Sequence, residues 1–344
     1  MGRRLVDRPA HRPTTTGVTL RLLLVHAHPD DETLTHGATV AAALAHAHEV
    51  DLVTCTRGEE GEVIGAAEAH RTSDRDDSLA ELREAELAAA LDALAGTGPV
   101  RVRHTYLDQL PPAPGTARSW PRYRDSGMVV LPGGRASVPP DVRPECFAEA
   151  DVDEAAGRLA GLLRRRRPHV LLTYGPHGGY GHPDHVMAHR VAVRALALAA
   201  QGDDGWTLPW VYGAAGDADA LRAWLRERGP DAGAWDPDGP LPQMFGPARE
   251  IDATVRAEAW LGAKAAALRA LPSQVRVLAD RPGSAAFALS NDVPLPLSGD
   301  EAAVLLRTVT GVEGWSGPAV LAPDDPLGAL LLPPGTRPRA APVG

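Results

Sequence analysis

The stretch RLLLVHAHPDDE, Arg21 to Glu32, decides how the rest of the chain is read. RLLLVHA is a short apolar run of the kind a buried strand requires. It breaks at a polar turn rich in His and Asp, and Thr35 to His48 follows as an Ala-rich segment of helical period. The same order recurs downstream. Val50–Thr56, Val100–Tyr106, His169–Tyr174 and Leu208–Gly213 read as strands. Leu79–Leu94, Val152–Arg167 and His185–Ala200 read as helices, the first on its stripe of Leu82, Leu87, Leu91 and Leu94. Ala253–Leu271 reads as a late helix. Strand and helix in alternation predict an α/β fold with a mainly parallel sheet built from right-handed βαβ units. In such sheets a ligand lies beyond the carboxyl ends of the strands, where the loops 26–36, 57–65 and 174–185 fall.

The 344 residues divide on this reading into a tail (1–19), a catalytic α/β unit (20–215), an extension packed on the same domain (216–321) and a Pro-rich end from 322, extended or frayed. Residues 108–146 and 229–248, rich in Pro and Gly, read as a long loop and a surface excursion. The net charge of -9 argues against a general nucleic-acid binder, whose affinity comes from Lys and Arg on phosphates. Two cysteines exclude a disulfide framework and an all-thiolate zinc site. No apolar run approaches the roughly 18 residues of a membrane span or the ~7–15 of a secretory leader. The expected location is the cytoplasm. Lys264 is the sole lysine, which reads as coding bias.

Two segments carry the chemistry: His26 to Glu32, and GPHGGYGHPDH, Gly175 to His185, each directly after a predicted strand. His28 and Asp31, three apart on a tight turn, can face one point, and His185 can join them from the other loop. Two histidines and one carboxylate with an open position suit catalytic zinc, and ferrous iron equally. Asp30 is then the general base for a water activated by the metal. Tyr180 and His182 are candidates for stabilising an oxyanion and protonating a leaving amine, and Asp184 for orienting a ligand histidine. Alone, Asp30 reads as an ordinary helix cap; the pairing of both loops after buried strands reverses that. His36, His46, His48, His70 and His104 read as surface or core residues, His26 as structural, Cys55 as a small buried hydrophobe, and Arg164 to Arg167 as a solvated helix end.

At these residues the chain resembles the PIG-L/LmbE-like zinc deacetylases. The carriers are VHAHPDDET with HGAT, VTCTRGEEGEVIG, RDSGM (Arg124 to Met128) and PHGGYGHPDHV. The likeness runs from about residue 20 to 215 and more loosely to about 320. It implies Rossmann-like units with helices on both faces, one Zn2+ on His28, Asp31 and His185, Asp30 as base, and Tyr180 and His182 at the oxyanion and leaving group. It further implies that Arg83 holds the sugar and that Asp125, with Glu62, meets an inositol side. The implied reaction converts N-acetylglucosaminyl-inositol to glucosaminyl-inositol and acetate, a step of mycothiol biosynthesis. The alternatives are cleavage of mycothiol S-conjugates, another N-acetylglucosaminyl natural product, or an inactive sugar- or metal-binding homologue. The Gly58-Glu59-Glu60-Gly61 loop favours the deacetylase. The implied partner is a small amino-sugar, with neither nucleic acid nor membrane.

Overall fold

The computed structural model describes residues 19–65, 70–71, 77–113, 122–131, 136–143, 145–228, 236–242, 244–279, 285–308, 321 and 324–331. The first half comprises strands β1 (Arg21–His26), β2 (Glu49–Thr54), β3 (Arg103–Tyr106), β4 (Val129–Val130), β5 (Ala136–Ser137) and β6 (Val170–Tyr174). It also holds helices α1 (Asp31–Ala45), α2 (Ser78–Ala95), α3 (Val152–Arg166) and α4 (Pro183–Ala199). Strand β7 (Trp210–Asp217) and helix α5 (Ala218–Arg228) follow. Beyond them lie β8 (Phe245–Gly246), β9 (Ala253–Arg256), α6 (Leu261–Arg269), β10 (Arg276–Ala279), β11 (Ala286–Ala288), β12 (Leu295–Pro296) and β13 (Asp300–Thr308).

The main sheet runs β3-β2-β1-β6-β7-β13-β9, with β8 against the end of β7. Its first five strands are parallel. Parallel strands covered by helices on both faces have no solvent side, so they read as unbroken apolar runs. In β1, Leu22 and Leu24 pack with α1, α2 and α6, while Leu23 and Val25 pack with α3 and α4. The predicted α/β class and mainly parallel sheet are therefore the ones observed. No helix among the described residues is long and apolar enough to cross a membrane.

The C-terminal part joins the same sheet, because β13 pairs antiparallel with both β7 and β9. It also reaches the first half through Glu301, the acidic member of a buried ion pair. Helix α1 kinks at His36 (φ -134°, ψ 17°). The Glu301 carboxylate accepts from the Ala38 and Thr39 amides just past the kink, at 2.9 and 2.8 Å. Lys264 Nζ sits 2.7 Å from Glu301 Oε1. The only lysine of the chain is thus buried as the counter-charge of an inserted helix cap.

Two expectations need correction. Ala253–Arg256 is a strand rather than the start of a helix, because β13 offers it a free edge and Thr254 and Val255 suit that pairing. Pro326–Leu330 is a 3-10 turn rather than frayed chain. Asp325 accepts from Leu327 N at 3.0 Å and meets His48 Nε2 at 2.7 Å, and Leu327 and Leu330 enter the core. Within residues 108–146 the strands β4 and β5 form a hairpin. Residues 1–18, 114–121, 229–235, 322–323 and 332–344, on which other expectations fall, lie outside the described residues.

Candidate metal centre

The strand order reverses between β1 and β6: β1 leads through α1 to β2 on one side, and β6 through α4 to β7 on the other. The turns after β1 and β6 therefore open side by side, at the switch point where α/β sheets bind ligands. Residues 27–31 leave β1 there, 55–61 leave β2 and 175–185 leave β6.

His28, Asp31 and His185 converge. His28 Nδ1 and His185 Nε2 are 3.3 Å apart, and His185 Nε2 is 3.4 Å from Asp31 Oδ1. Ligand atoms about 2.0–2.2 Å from a tetrahedral ion stand roughly 3.3–3.6 Å from one another, so this spacing fits a divalent cation. The outward nitrogens are also spoken for, which fixes the ring orientations. His28 Nε2 lies 3.2 Å from Asp184 Oδ2 and 3.6 Å from Asp125 Oδ1. His185 Nδ1 lies 3.3 Å from the Gly178 carbonyl. Gly178 has φ +62°, and a Cβ there would stand 2.7 Å from Val186 N, so the approach requires glycine.

His28, Asp125 and Asp184 also crowd together, and His28, His182 and His185 form a second cluster with ligand spacing. The first serves as support. Asp184 Oδ2 accepts from Ser126 N at 2.9 Å, and its Oδ1 accepts from the Ser126 hydroxyl. Asp125 Oδ1 accepts from Gly127 N at 2.8 Å. In the second cluster, His182 Nδ1 accepts from Asp184 N at 3.2 Å and so caps α4. That bond puts the ring proton on Nε2, making His182 a neutral donor into the site.

Asp30 stands at the N-cap position of α1, yet its side chain makes no cap hydrogen bond. Its Oδ2 meets Arg83 Nη2 at 3.1 Å instead. Arg83, buried on α2, also donates to the Gly58 carbonyl at 2.9 Å and the Pro29 carbonyl at 3.2 Å. A Cβ on Gly58 would fall 2.0 Å from Arg83 Nη1, and one on Gly61 2.7 Å. The glycines of the GEEG loop thus make the slot through which Arg83 reaches Asp30.

Tyr180 sits half-buried with its ring 5.2 Å from that of His185. The β4–β5 hairpin holds its loop, Ala136 N donating to the Tyr180 carbonyl at 3.1 Å. Asp125 is buried against His28, and Glu62 is exposed on the loop after β2. Sequence reasoning missed Tyr174. Its position as the last residue of a strand at the switch point was the available signal. It also gave no role to Ser126, although the RDSGM segment that contains it was among the carriers of the resemblance.

The electrostatics fit a cation. Burial works against charge on His28, but Asp125, Asp184 and Asp31 hold its pKa well above the usual imidazole value. Burial is likewise overcome at Asp31, which His185 and His28 hold below the carboxylate range. Burial lifts Asp30 to about 6 against the pull of Arg83, and lifts Asp184 to about 6 with help from Asp125. Burial, with His28 and His185 beside it, keeps His182 well below its ordinary value. An anionic pocket whose donors are imidazole and carboxylate suits zinc-type ions.

Residues 23–196 match the family model described as PIG-L, GlcNAc-PI de-N-acetylase. The chain is 46% identical to a 1D-myo-inositol 2-acetamido-2-deoxy-alpha-D-glucopyranoside deacetylase of Kribbella flavida, over 82% of this chain and 90% of that protein. It is 43% identical to the protein of that description from Mycolicibacterium smegmatis, over 86% and 94%. A Streptomyces griseus protein of the same description is 44% identical over 85% of each chain.

Proposed function

The chain belongs to the PIG-L family, and from that premise we propose that it is a metal-dependent amidohydrolase removing the N-acetyl group of N-acetylglucosaminyl-inositol, in mycothiol biosynthesis. The observation that carries the reading is the convergence of His28, Asp31 and His185 beside a buried carboxylate that binds no ligand atom, Asp30. His28, Asp31 and His185 would hold one Zn2+, with Fe2+ the alternative on the same donors. When bound, such an ion polarises the amide carbonyl and makes water a nucleophile at neutral pH.

Asp30 takes the proton as water adds to the carbonyl carbon. Arg83 holds that carboxylate in place. His182 Nε2–H and the Tyr180 hydroxyl donate to the oxygen that becomes negative. The C–N bond then breaks, and Asp30 returns the proton to the departing amine. His182 is the poorer acid, since its Nδ1 is committed to the Asp184 amide. Acetate and the free amino sugar leave. Asp125 and Glu62 mark the side on which an inositol ring would lie.

The test is acetate release by purified protein from N-acetylglucosaminyl-inositol, N-acetylglucosamine and a mycothiol S-conjugate, each with Zn2+ or Fe2+. Preference for the first supports the proposal, preference for the third the amidase, and no turnover of any refutes both. Asp30→Ala should keep its metal and lose activity by about 10²–10⁴-fold. Loss of the metal in that variant would remove Asp30 from its role.

A further inference from the structure

Tyr174 closes β6 and touches two of the three metal-site residues. Its hydroxyl accepts from Ala27 N at 2.8 Å. That leaves its one proton for Asp31 Oδ2, 2.7 Å away, which as a carboxylate oxygen can only accept. The same Oδ2 accepts from His28 N at 2.9 Å. These two bonds take up the two lone pairs of Oδ2, which also stands 3.2 Å from His28 Nδ1. Oδ1, facing His185 Nε2, is the oxygen left over. The ring of Tyr174 lies parallel to that of His185, 4.2 Å between centroids and 13° between planes.

We propose that Tyr174 is a positioning residue that commits Asp31 to a cation through Oδ1 alone and braces the His185 ring from behind. The proposal rests on the metal-centre reading above and concerns how the site is set rather than what it hydrolyses. Single-oxygen binding keeps a coordination position open, which an open catalytic site requires. Within the metal site the contacts of Tyr174 are with Asp31 and His185, so its effect travels through the two ligands.

The experiment measures Zn2+ affinity by chelator competition and the visible absorption of the Co2+-loaded protein, for wild type, Tyr174→Phe and Tyr174→Leu. Phenylalanine keeps the ring on His185 and removes only the hydroxyl. It should weaken Zn2+ binding about 10–100-fold, the usual cost of losing an outer partner, and shift the Co2+ bands as Oδ2 becomes free. Leucine removes the ring as well and should weaken binding further. Wild-type affinity and unchanged Co2+ bands in Tyr174→Phe would overturn the proposal while leaving the metal centre intact. Failure of the wild type itself to bind either ion would instead overturn the metal-centre reading, and this proposal with it.

Discussion

Replacing Arg83 separates two jobs that one arginine can do. Resemblance gave it the sugar, whereas the structure aims its guanidinium at Asp30, 3.1 Å away, and at two backbone carbonyls. Both residues are buried, Arg83 at 3% and Asp30 at 8% exposure. Removing one partner of a buried pair costs about 3–5 kcal/mol, because the other is left uncompensated. Where that loss falls on a base that must be ionised and aimed, it appears in kcat. Arg83→Ala should lower kcat for acetate release by about 10²-fold or more, within the range for general-base loss, with KM changed less than about threefold. Arg83→Lys keeps a cation but lacks the planar fork that reaches three separated acceptors, and should recover part of the rate. Gly58→Ala should show the same signature, since its methyl group would occupy the guanidinium's place. Steady-state kinetics on metal-loaded protein read all three. A raised KM at unchanged kcat would show the guanidinium gripping substrate uniformly and would refute the reasoning.

The Lys264–Glu301 pair should dominate the coupling between the C-terminal strands and α1. Glu301→Ala strands the Ala38 and Thr39 amides as well as Lys264 and should cost about 3–5 kcal/mol in urea unfolding. Glu301→Ala with Lys264→Met should cost less than the sum of the single changes by more than about 1 kcal/mol, and additivity would refute the coupling. His36 supplies a pH test on metal-free protein. Burial and nearby Lys264 depress its pKa from 6.5 to about 3. The unfolded chain therefore takes up the extra proton first. Stability is fully present above the unfolded pKa and falls as pH drops towards the folded one, by roughly 2–3 kcal/mol between about pH 6.5 and 4.5. His36→Asn should flatten that slope, and an unchanged slope would exclude His36 as its source.

Much of the site was legible because parallel strands bury both faces. RLLLVH and VLLTY announce themselves as strands, and the polar turn after each must then open at the same edge of the sheet. From that alone His28, Asp31 and His185 could be brought together. The late strand β9 was not legible, because a four-residue edge strand depends on the β13 partner that covers it. Tyr174 was hidden for a related reason: in sequence it is one more apolar strand residue, and only the turn of β1 beneath it gives its hydroxyl two partners.

The sequence by itself determined the α/β layering, the two polar loops at the strand ends and the residue types available to a metal. These follow from local periodicity and from chemistry carried on short stretches of chain. Tertiary structure alone decided what each group faces. It turned Asp30 from a possible cap into a carboxylate paired with Arg83, and placed Asp184 behind His28. It gave the single lysine a buried partner, joining residues 264 and 301 to the middle of α1. Contacts between positions so far apart in the chain are set by how helices and strands pack, which no local pattern encodes.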